Sequence, residues 1–372
     1  MQGNKPLKIV IVTQTVYPAL DPRSHRSMQL ALGLADAGHD VTVYALLGEY
    51  DYRKYQENRN IKFKNLGVSK LGLKDSDNNS KYTIFNRGMK KLFWKVFLYP
   101  DIEMVPMIRR AIKNEKDIDI LISIAFPYID HFAIASLKKT NAKCWISDCG
   151  DPFTGNPFHK FPSHFKSIER HWCRKTDFIV VPIKEAKQGY FEEFRDKIKV
   201  IPQGFNFDNI KLAEYKKNNI PTFAYSGATY RDLRDPSKFL DYITTLDFPF
   251  KLIVYTVKGS MFEQYKEKLK DKIELREYVE RDKLIYELSK VDFLINIKNK
   301  SGVQQPSKLI DYATTKRPII TITSDFGNSE KEIFNEFMDN NYTNQTIVEN
   351  IEQYNIKNVS NEFVKLYTNS TI

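Results

Sequence analysis

The feature that most constrains this sequence is the alternation of short Val- and Ile-rich runs with longer segments of helical periodicity. Apolar runs without polar alternation are typical of strands buried on both faces of a parallel sheet. In the first 200 residues they occupy positions 8–12, 41–47, 118–124, 143–147, 177–181 and 199–201. Between the first two, residues 24–37 predict a helix capped by Ser24 and ended by Gly38, so the chain opens with a βαβ unit.

A second alternating series follows a polar stretch rich in Lys and Asn. Its predicted strands lie at 222–226, 251–255, 273–278, 292–296 and 319–323, and its helices at 236–245, 261–270, 281–289 and 306–315. We therefore predict an α/β fold of two Rossmann-like domains facing each other across a cleft. The predicted bounds are 1–205 for the first domain, 206–220 for a linker, 221–355 for the second domain and 356–372 for a C-terminal segment.

The composition of the chain indicates where the protein is located and what kind of partner it binds. No apolar run reaches the roughly 18 residues of a membrane span, and the run at 9–12 is too short for a signal peptide, so we expect a cytoplasmic protein. The three cysteines form no CxxC pair, which disfavours a disulfide framework or a structural zinc site. The net charge of +11 lies entirely in residues 1–205, with 33 basic and 22 acidic residues. That half is expected to face something anionic.

The usual nucleotide-binding motifs do not occur in the sequence. No GxGxxG follows the first strand and no GxxxxGK[ST] is present, which argues against a dinucleotide-dependent dehydrogenase or a P-loop ATPase. Asp117-Ile118-Asp119 resembles a metal-binding DxD motif. It opens a predicted strand instead of following one, so we interpret it as a solvated strand start.

One segment of the second half has the composition of a diphosphate site. Gly227 follows the first strand of that half and would let the backbone approach a ligand closely. Arg231 and Arg234 come shortly after it and offer planar forks for phosphate oxygens. The alternative is an ordinary loop with solvated arginines.

A second such segment begins the predicted helix at 306–315. Pro306 suits the first turn, where free N–H groups favour an anion and Lys308 adds a positive charge. Asp311 lies one turn after Ser307, where a carboxylate could accept hydrogen bonds from ribose hydroxyls. A capped core helix is the alternative interpretation.

Several motifs, in this order and spacing, resemble those of glycosyltransferase family 4, which has the two-domain GT-B fold. They are the strand at 8–17, Ala35-Asp36-Ala37-Gly38-His39-Asp40-Val41-Thr42-Val43, Ile201-Pro202-Gln203-Gly204-Phe205-Asn206, Ser226-Gly227, Pro306-Ser307-Lys308-Leu309-Ile310-Asp311-Tyr312-Ala313 and Lys316-Arg317-Pro318-Ile319-Ile320. The resemblance implies a nucleotide-sugar on the C-terminal domain, an acceptor on the N-terminal domain, and retention of the anomeric configuration without a metal or cofactor. It also implies that residues 361–367 pack back on the first domain.

Carried over residue by residue, the resemblance assigns the diphosphate to Gly227 with Arg231 or Arg234. It places Asp311 at the ribose and Tyr278 near the base.

One position departs from the family pattern. The usual glutamate eight residues before Asp311 is Val303 here, and Gln305 is the candidate substitute for holding the transferred sugar. This departure leaves open a catalytically inactive homologue that binds a nucleotide-sugar as the partner of another transferase.

The N-terminal half offers further candidates near predicted strand ends. The resemblance makes His131 a contact of the donor sugar, with a structural histidine as the alternative. Asp148 and Asp151 leave a strand into a loop, where they could bind acceptor hydroxyls or assist proton removal, unless they only form the turn. Arg23 and Arg26 fall in the first loop and could meet an acceptor phosphate, with solvated helix-start arginines as the alternative.

The segment from Arg87 to Tyr99 mixes four cations with large apolar and aromatic residues. This composition suits a helix lying in an anionic membrane interface, where it would bring a lipid-linked acceptor to the enzyme. A core helix with a basic outer face is the alternative. No nucleic-acid module is recognisable, so no nucleic-acid partner is expected.

The sequence therefore predicts a hexosyltransferase-type enzyme in cell-surface polysaccharide biosynthesis, located in the cytoplasm and at the inner face of the membrane. It would move a sugar from a nucleoside-diphosphate-sugar to a saccharide or a polyprenyl-diphosphate-linked acceptor. A nucleotide-sugar 2-epimerase shares the two-domain shape and remains the enzymatic alternative, because it would need no acceptor.

Overall fold

The computed structural model describes residues 5–19, 21–69, 92–93, 96–98, 101–125, 128–156, 161–208, 210–231, 234–257, 260–277, 279–298 and 308–370. The chain divides into two compact units. Unit 1 comprises Met1–Asn206 and Gln353–Ile372, and unit 2 comprises Phe207–Glu352. Each unit is an α/β domain on a parallel sheet, which confirms the predicted fold class of both.

Unit 1, as far as its residues are described, is built on a sheet of seven parallel strands. In chain order they are β1 (Lys8–Val12), β2 (Asp40–Ala45), β3 (Ile61–Asn65), β4 (Ile118–Ala125), β5 (Ala142–Cys149), β6 (Phe178–Val181) and β7 (Ile198–Val200). They lie in the order β3-β2-β1-β4-β5-β6-β7, so the direction of winding reverses between β1 and β4. In open α/β sheets, ligands bind outside the carboxyl ends of the strands at such a reversal.

Helices cover both faces of this sheet and bury its Val- and Ile-rich strands. In the part of this unit that the structure describes, they include α1 (Pro22–Asp36), α2 (Arg53–Gln56), α3 (Met104–Asn114), α4 (Ile129–Ala135) and α5 (His164–Lys175). Short 3-10 helices lie at Asp101–Glu103, Lys184–Gly189 and Glu192–Lys197. Helix α1 packs on one face of the sheet, and α3, α4 and α5 pack on the other.

Helix α1 begins two residues earlier than predicted because Asp21, and not Ser24, caps it. The Asp21 carboxylate accepts the N–H groups of Arg23 at 2.9 Å and Ser24 at 3.0 Å. Ser24 instead faces the core with 1% of its surface exposed. Gly38 follows the helix with φ +89°, a conformation that glycine adopts at no steric cost.

The described part of unit 2 contains five parallel strands and an aromatic core of its own. The strands are β8 (Thr222–Ser226), β9 (Lys251–Tyr255), β10 (Ile273–Arg276), β11 (Phe293–Ile297) and β12 (Ile319–Ile322), in the order β10-β9-β8-β11-β12. The helices are α6 (Ser237–Ile243), α7 (Lys266–Leu269), α8 (Arg281–Leu288), α9 (Lys308–Thr314) and α10 (Asn328–Met338), with 3-10 helices at Met261–Tyr265 and Lys270–Lys272. The winding reverses between β8 and β11, so the carboxyl end of β8 is the expected ligand position.

The stretch predicted as a linker, 206–220, differs from a free tether because its second half is bound to unit 2. The Ala213 N–H donates to Ser289 Oγ at 2.8 Å, and the Tyr215 hydroxyl donates to Asp292 Oδ1 at 2.7 Å. The Asn218 side-chain amide donates to the same Asp292 oxygen at 3.1 Å. Residues 213–218 are therefore an integral part of unit 2.

The chain returns to unit 1 through a 3-10 helix at Ile351–Tyr354 and the final helix α11 (Ile356–Ser370). Helix α11 crosses α1 at Gly33, where an added Cβ would lie 2.4 Å from Ser360 Oγ and 2.6 Å from Ile356 Cγ1. The absence of a side chain at Gly33 thus lets the two helices pack closely. The apolar side of α11 completes the core on the α1 face of the sheet.

We expect Gly33→Leu to lower the free energy of unfolding of unit 1 by ~1–3 kcal/mol, because the added side chain overpacks the helix crossing. In open space the same substitution would stabilise the helix by up to ~1 kcal/mol, so the sign of the change tests the contact. All three tryptophans, Trp94, Trp145 and Trp172, lie in unit 1, so their fluorescence in a urea titration reports its unfolding. His25→Leu, on an exposed position of α1, is the control; an equal or higher midpoint for Gly33→Leu would contradict the prediction.

Candidate functional site

In unit 2 the carboxyl end of β8 is fixed beside helix α9. The hydroxyl of Tyr312, a fully buried residue of α9, accepts the N–H of Ser226, the last residue of β8, at 2.7 Å. Gly227 follows with φ +122° and donates its N–H to the Tyr255 carbonyl at 2.7 Å. A residue with a side chain would be strained at this φ. The backbone at the end of β8 is therefore rigid and has an open face.

The side chain of Lys308, the first residue of α9, extends across that open face. A Cβ built on Gly227 would lie 1.5 Å from Lys308 Nζ and 2.1 Å from Cε. Nζ lies 5.2 Å from the centroid of the Tyr225 ring, and it is buried without a hydrogen-bond partner among the residues described. Burial, together with the charge of Arg234, lowers the pKa of Lys308 to about 7.

Arg234 lies close enough to Lys308 for its charge to act on the amine, and its backbone pairs with that of Tyr230. The N–H of Tyr230 donates to the Arg234 carbonyl at 3.1 Å, and the N–H of Arg234 donates to the Tyr230 carbonyl at 2.7 Å. Arg234 Nε is buried and has no partner in the described part of the chain. Arg231, in contrast, is exposed. We refer to Gly227, Arg234 and Lys308 as the cation cradle.

Asp311 lies one turn after Lys308 and is held by a residue that the sequence interpretation missed. Arg281 Nε, at the start of α8, donates to Asp311 Oδ1 at 2.7 Å, and both side chains are largely buried. Among the residues that the structure describes, Lys308 Nζ has no carboxylate in hydrogen-bond contact, although the charge of Asp311 acts on it.

In unit 1, Arg26 and Asp148 form an ion pair inside the domain, which favours a structural role for both over the predicted acceptor binding. Arg26 Nε and Nη2 donate to the two oxygens of Asp148, each at 2.5 Å. Arg26 is 4% exposed and Asp148 is fully buried. Neither side chain offers surface to a ligand, so the pair is structural.

His131 is likewise part of the core of unit 1. Its Nδ1 lies 2.7 Å from Ser123 Oγ, its Nε2 lies 3.2 Å from Cys149 Sγ, and its ring packs on Trp172 with centroids 4.8 Å apart. Burial, with a smaller effect from the Arg23 charge, lowers the pKa of His131 to about 3. The ring is neutral and fully buried, so this placement favours the structural alternative over contact with a donor sugar.

Arg23 and Asp151 lie at the carboxyl end of β5. Asp151 is half-buried, and its backbone carbonyl accepts a hydrogen bond from the Tyr128 hydroxyl. The loop that follows is tied to helix α5, because Thr154 donates both its N–H and its hydroxyl to Glu169. Burial raises the pKa of Glu169 to about 7.

Comparison with known proteins relates the chain to glycosyltransferases. Residues 26–209, most of the N-terminal part of unit 1, match the family model described as Glycosyltransferase Family 4. Over these residues the chain is similar to glycosyltransferases of family 4, and both of its units have the α/β architecture of the GT-B fold. A comparison of the sequence with curated proteins found no match.

Solved structures share the fold of this glycosyltransferase over nearly its whole length. The glycosyltransferase of Rickettsia africae ESF-5 has a TM-score of 0.58 at 15% identity, over 98% of this chain and 94% of that one. HepE of Anabaena, in complex with UDP-glucose, has a TM-score of 0.59 at 9% identity, over 98% and 100%. A mutant of TarM from S. aureus, in complex with fondaparinux, alpha-GlcNAc-glycerol and UDP, has a TM-score of 0.57 at 10% identity, over 98% and 93%.

Some predicted features of this glycosyltransferase lie outside the described residues. Tyr278, Gln305 and Ser307 do, and so does most of the segment from Arg87 to Tyr99. No helix in the described ranges is long and apolar enough to cross a membrane. Within the same ranges, no three His, Cys, Asp or Glu side chains converge in a way that would hold a metal ion.

Proposed function

We propose that this glycosyltransferase binds a nucleoside-diphosphate-sugar in unit 2, with the two phosphates in the cation cradle. The observation that carries the proposal is that Lys308 Nζ is buried without a hydrogen-bond partner in the described part of the chain, lies over Gly227 and is close enough to Arg234 for their charges to interact. Two like charges in a medium of low dielectric constant repel each other, and an anion between them removes that cost. A diphosphate matches this arrangement in charge and in its number of acceptor oxygens.

The same cations would act in the chemical step. When the bond between the anomeric carbon and the diphosphate breaks, negative charge develops on the leaving diphosphate oxygen. Lys308 and Arg234, already in place, would stabilise that charge without reorganising. Asp311, fixed by Arg281, would accept hydrogen bonds from the ribose hydroxyls. We propose UDP as the nucleotide, supported by the UDP-glucose complex of HepE and the UDP complex of the TarM mutant.

The acceptor would bind unit 1, where Asp151 stays a candidate for binding the attacking hydroxyl. The proposed product is a glycoside of retained configuration, formed without a metal, on a saccharide or lipid-linked saccharide of a cell-surface polymer. The alpha-GlcNAc-glycerol bound to the TarM mutant supports a saccharide product.

We also propose that this glycosyltransferase docks on the membrane through the segment from Arg87 to Tyr99. Its described part supports docking because Leu92, Phe93, Val96 and Phe97 are each more than a third exposed, and exposed apolar residues beside cations suit an anionic interface. Co-sedimentation of the Phe93→Ser/Phe97→Ser variant with vesicles that contain anionic lipid tests this proposal. Wild-type binding by the variant would contradict it.

Calorimetric titration with UDP and UDP-glucose, followed by product analysis, tests the proposed function. Binding of UDP-glucose and transfer of glucose to an added saccharide would support it. Formation of an epimerised nucleotide-sugar from the donor alone would identify a 2-epimerase instead. Binding without any turnover over a panel of acceptors would identify an inactive partner protein.

Donor binding is expected to be coupled to protonation of Lys308. In the free protein its pKa is about 7, and the groups that act on it are the Arg234 charge, which lowers the pKa, and Asp311, which raises it. Bound phosphates favour the charged amine, so the pKa of Lys308 rises on binding. Affinity for UDP-glucose should therefore be highest below pH 7 and fall as pH rises above 7, by up to about tenfold per pH unit.

Calorimetry between pH 6 and 9, in two buffers that differ in ionisation enthalpy, measures both the affinity and the proton uptake. Lys308→Arg is the control because its guanidinium stays charged throughout this range. A dissociation constant independent of pH in the wild-type protein would contradict the coupling.

A further inference from the structure

At the carboxyl end of β5, the guanidinium of Arg23 fills a space that exists only because residue 150 is glycine. A Cβ built on Gly150 would lie 1.2 Å from Arg23 Nη2 and 2.1 Å from Cζ. Helix α1 starts beyond the end of β1, so the Arg23 side chain reaches from the end of β1 to the end of β5. This crosses the reversal between β1 and β4, where open α/β sheets bind their ligands.

Three of the carboxylates near Arg23 are engaged by other groups, and the fourth, Asp151, is the half-buried residue after Gly150. Asp21 is occupied in capping α1, and Asp148 is paired with Arg26. Glu169 accepts from Thr154 and is largely protonated below pH 7. In the described part of the chain, the Arg23 guanidinium forms neither a hydrogen bond nor an ion pair with any side chain.

The position of Arg23 strengthens the electrostatic effect of its charge. Tyr128, His131 and Cys149 beneath it are buried, and the Arg23 charge lowers the pKa of each of them, although burial has the larger effect on all three. A charge felt by several core groups lies over a medium of low dielectric constant, where its attraction for an anion is stronger than in water. The net charge of +11 in residues 1–205 adds to that attraction.

We infer that Arg23 binds a phosphate group of the acceptor, so that the acceptor is a phosphate-bearing saccharide and not a neutral sugar. The inference rests on the proposed function and names the substrate class of its acceptor site. A guanidinium offers two parallel N–H donors that match two oxygens of one phosphate. Gly150 holds the fork at the end of β5, beside Asp151, where an acceptor hydroxyl would be bound.

Titration with inorganic pyrophosphate tests the site directly, in a protein whose unit 2 cradle is disabled by Lys308→Ala/Arg234→Ala. We expect that protein to bind pyrophosphate, and we expect Arg23→Ala to weaken this binding about tenfold. Gly150→Ala should weaken it too, because the methyl group displaces the guanidinium without removing its charge. Arg195→Ala, an exposed arginine of unit 1, is the control for loss of one charge. Equal affinities with and without Arg23, or no binding in the parent, would overturn the inference.

Transfer kinetics in the otherwise wild-type enzyme identify the source of the phosphate. Two phosphate-bearing acceptors are compared, a prenyl-diphosphate-linked sugar and a sugar 1-phosphate. For whichever of them is the substrate, Arg23→Ala should raise KM about tenfold. KM for an alkyl glycoside, which has no phosphate, should stay unchanged. A larger effect on the prenyl substrate indicates a lipid-linked acceptor, and equal effects indicate a free phosphate. An equal rise in KM for the alkyl glycoside would overturn the inference. Binding of UDP-glucose, measured in parallel, tests the proposed function separately, because Arg23 lies in unit 1.

Discussion

Lys308→Ala is expected to lower the affinity for UDP-glucose at least tenfold and to lower turnover at least tenfold. Arg234→Ala should have the same two effects. A charge-assisted hydrogen bond to phosphate contributes roughly 1.5–3 kcal/mol, which corresponds to about 10–100-fold in affinity. Turnover falls as well because these cations would stabilise charge that develops on the leaving diphosphate. Calorimetry gives the dissociation constants, and steady-state assays give kcat and KM.

Two further variants make this test specific. Lys283→Ala removes an exposed lysine of α8 and should change neither the affinity for UDP-glucose nor the turnover. Gly227→Ala removes no charge, but its methyl group would occupy the position of Lys308 Nζ and strain the backbone at φ +122°. We therefore expect Gly227→Ala to lower affinity although every cation remains. Wild-type rates in both Lys308→Ala and Arg234→Ala would refute this placement of the phosphates.

Asp148→Ala is expected to lower the free energy of unfolding of unit 1 by about 3–5 kcal/mol, because it leaves the buried Arg26 charge without its partner. In the surface pair of Asp36 and Arg59, Nε also lies 2.5 Å from a carboxylate oxygen, but the side chains are 46% and 32% exposed. Asp36→Ala should therefore cost only about 0–1 kcal/mol and is the matched control. Tryptophan fluorescence during urea unfolding measures both.

A double variant separates a structural role from acceptor binding. Replacing both partners, as Arg26→Met/Asp148→Leu, removes the unpaired charge and should recover most of the lost stability. If Asp148 bound the acceptor instead, Asp148→Ala would leave the unfolding midpoint unchanged and raise KM for the acceptor.

Eleven of the twelve strands in the described part of the chain could be predicted from sequence, because buried parallel strands are apolar on both faces. Strand β3 could not, since Lys62 and Lys64 alternate with Ile61 and Phe63 at the edge of the sheet, where one face meets solvent. The start of α1 was predicted at the wrong residue because Asp21 and Ser24 are both good caps, and only the fold decides between them.

Part of the candidate site could likewise be predicted from the sequence, and part could not. Gly227 and Lys308 could be predicted to lie together, since β8 and the helix after β11 meet where the sheet reverses. The pairing of Arg26 with Asp148 spans 122 residues, and no local pattern announces it. Burial of His131 could not be predicted either, because nothing in the sequence shows whether a histidine in the first turn of α4 faces a ligand or packs on Trp172.

Unit 1 is interrupted by unit 2, and this imposes an order on synthesis. Helix α11 covers α1 at Gly33, yet it leaves the ribosome only after all of Phe207–Glu352 has been made. Until then the side of α1 that carries Gly33 lacks its cover, although the opposite side can pack on the sheet, while unit 2 already has all its residues and can fold. A nascent chain stalled before residue 356 would therefore expose the apolar residues of unit 1 that α11 covers in the folded protein. Chaperone binding or aggregation should begin at those residues.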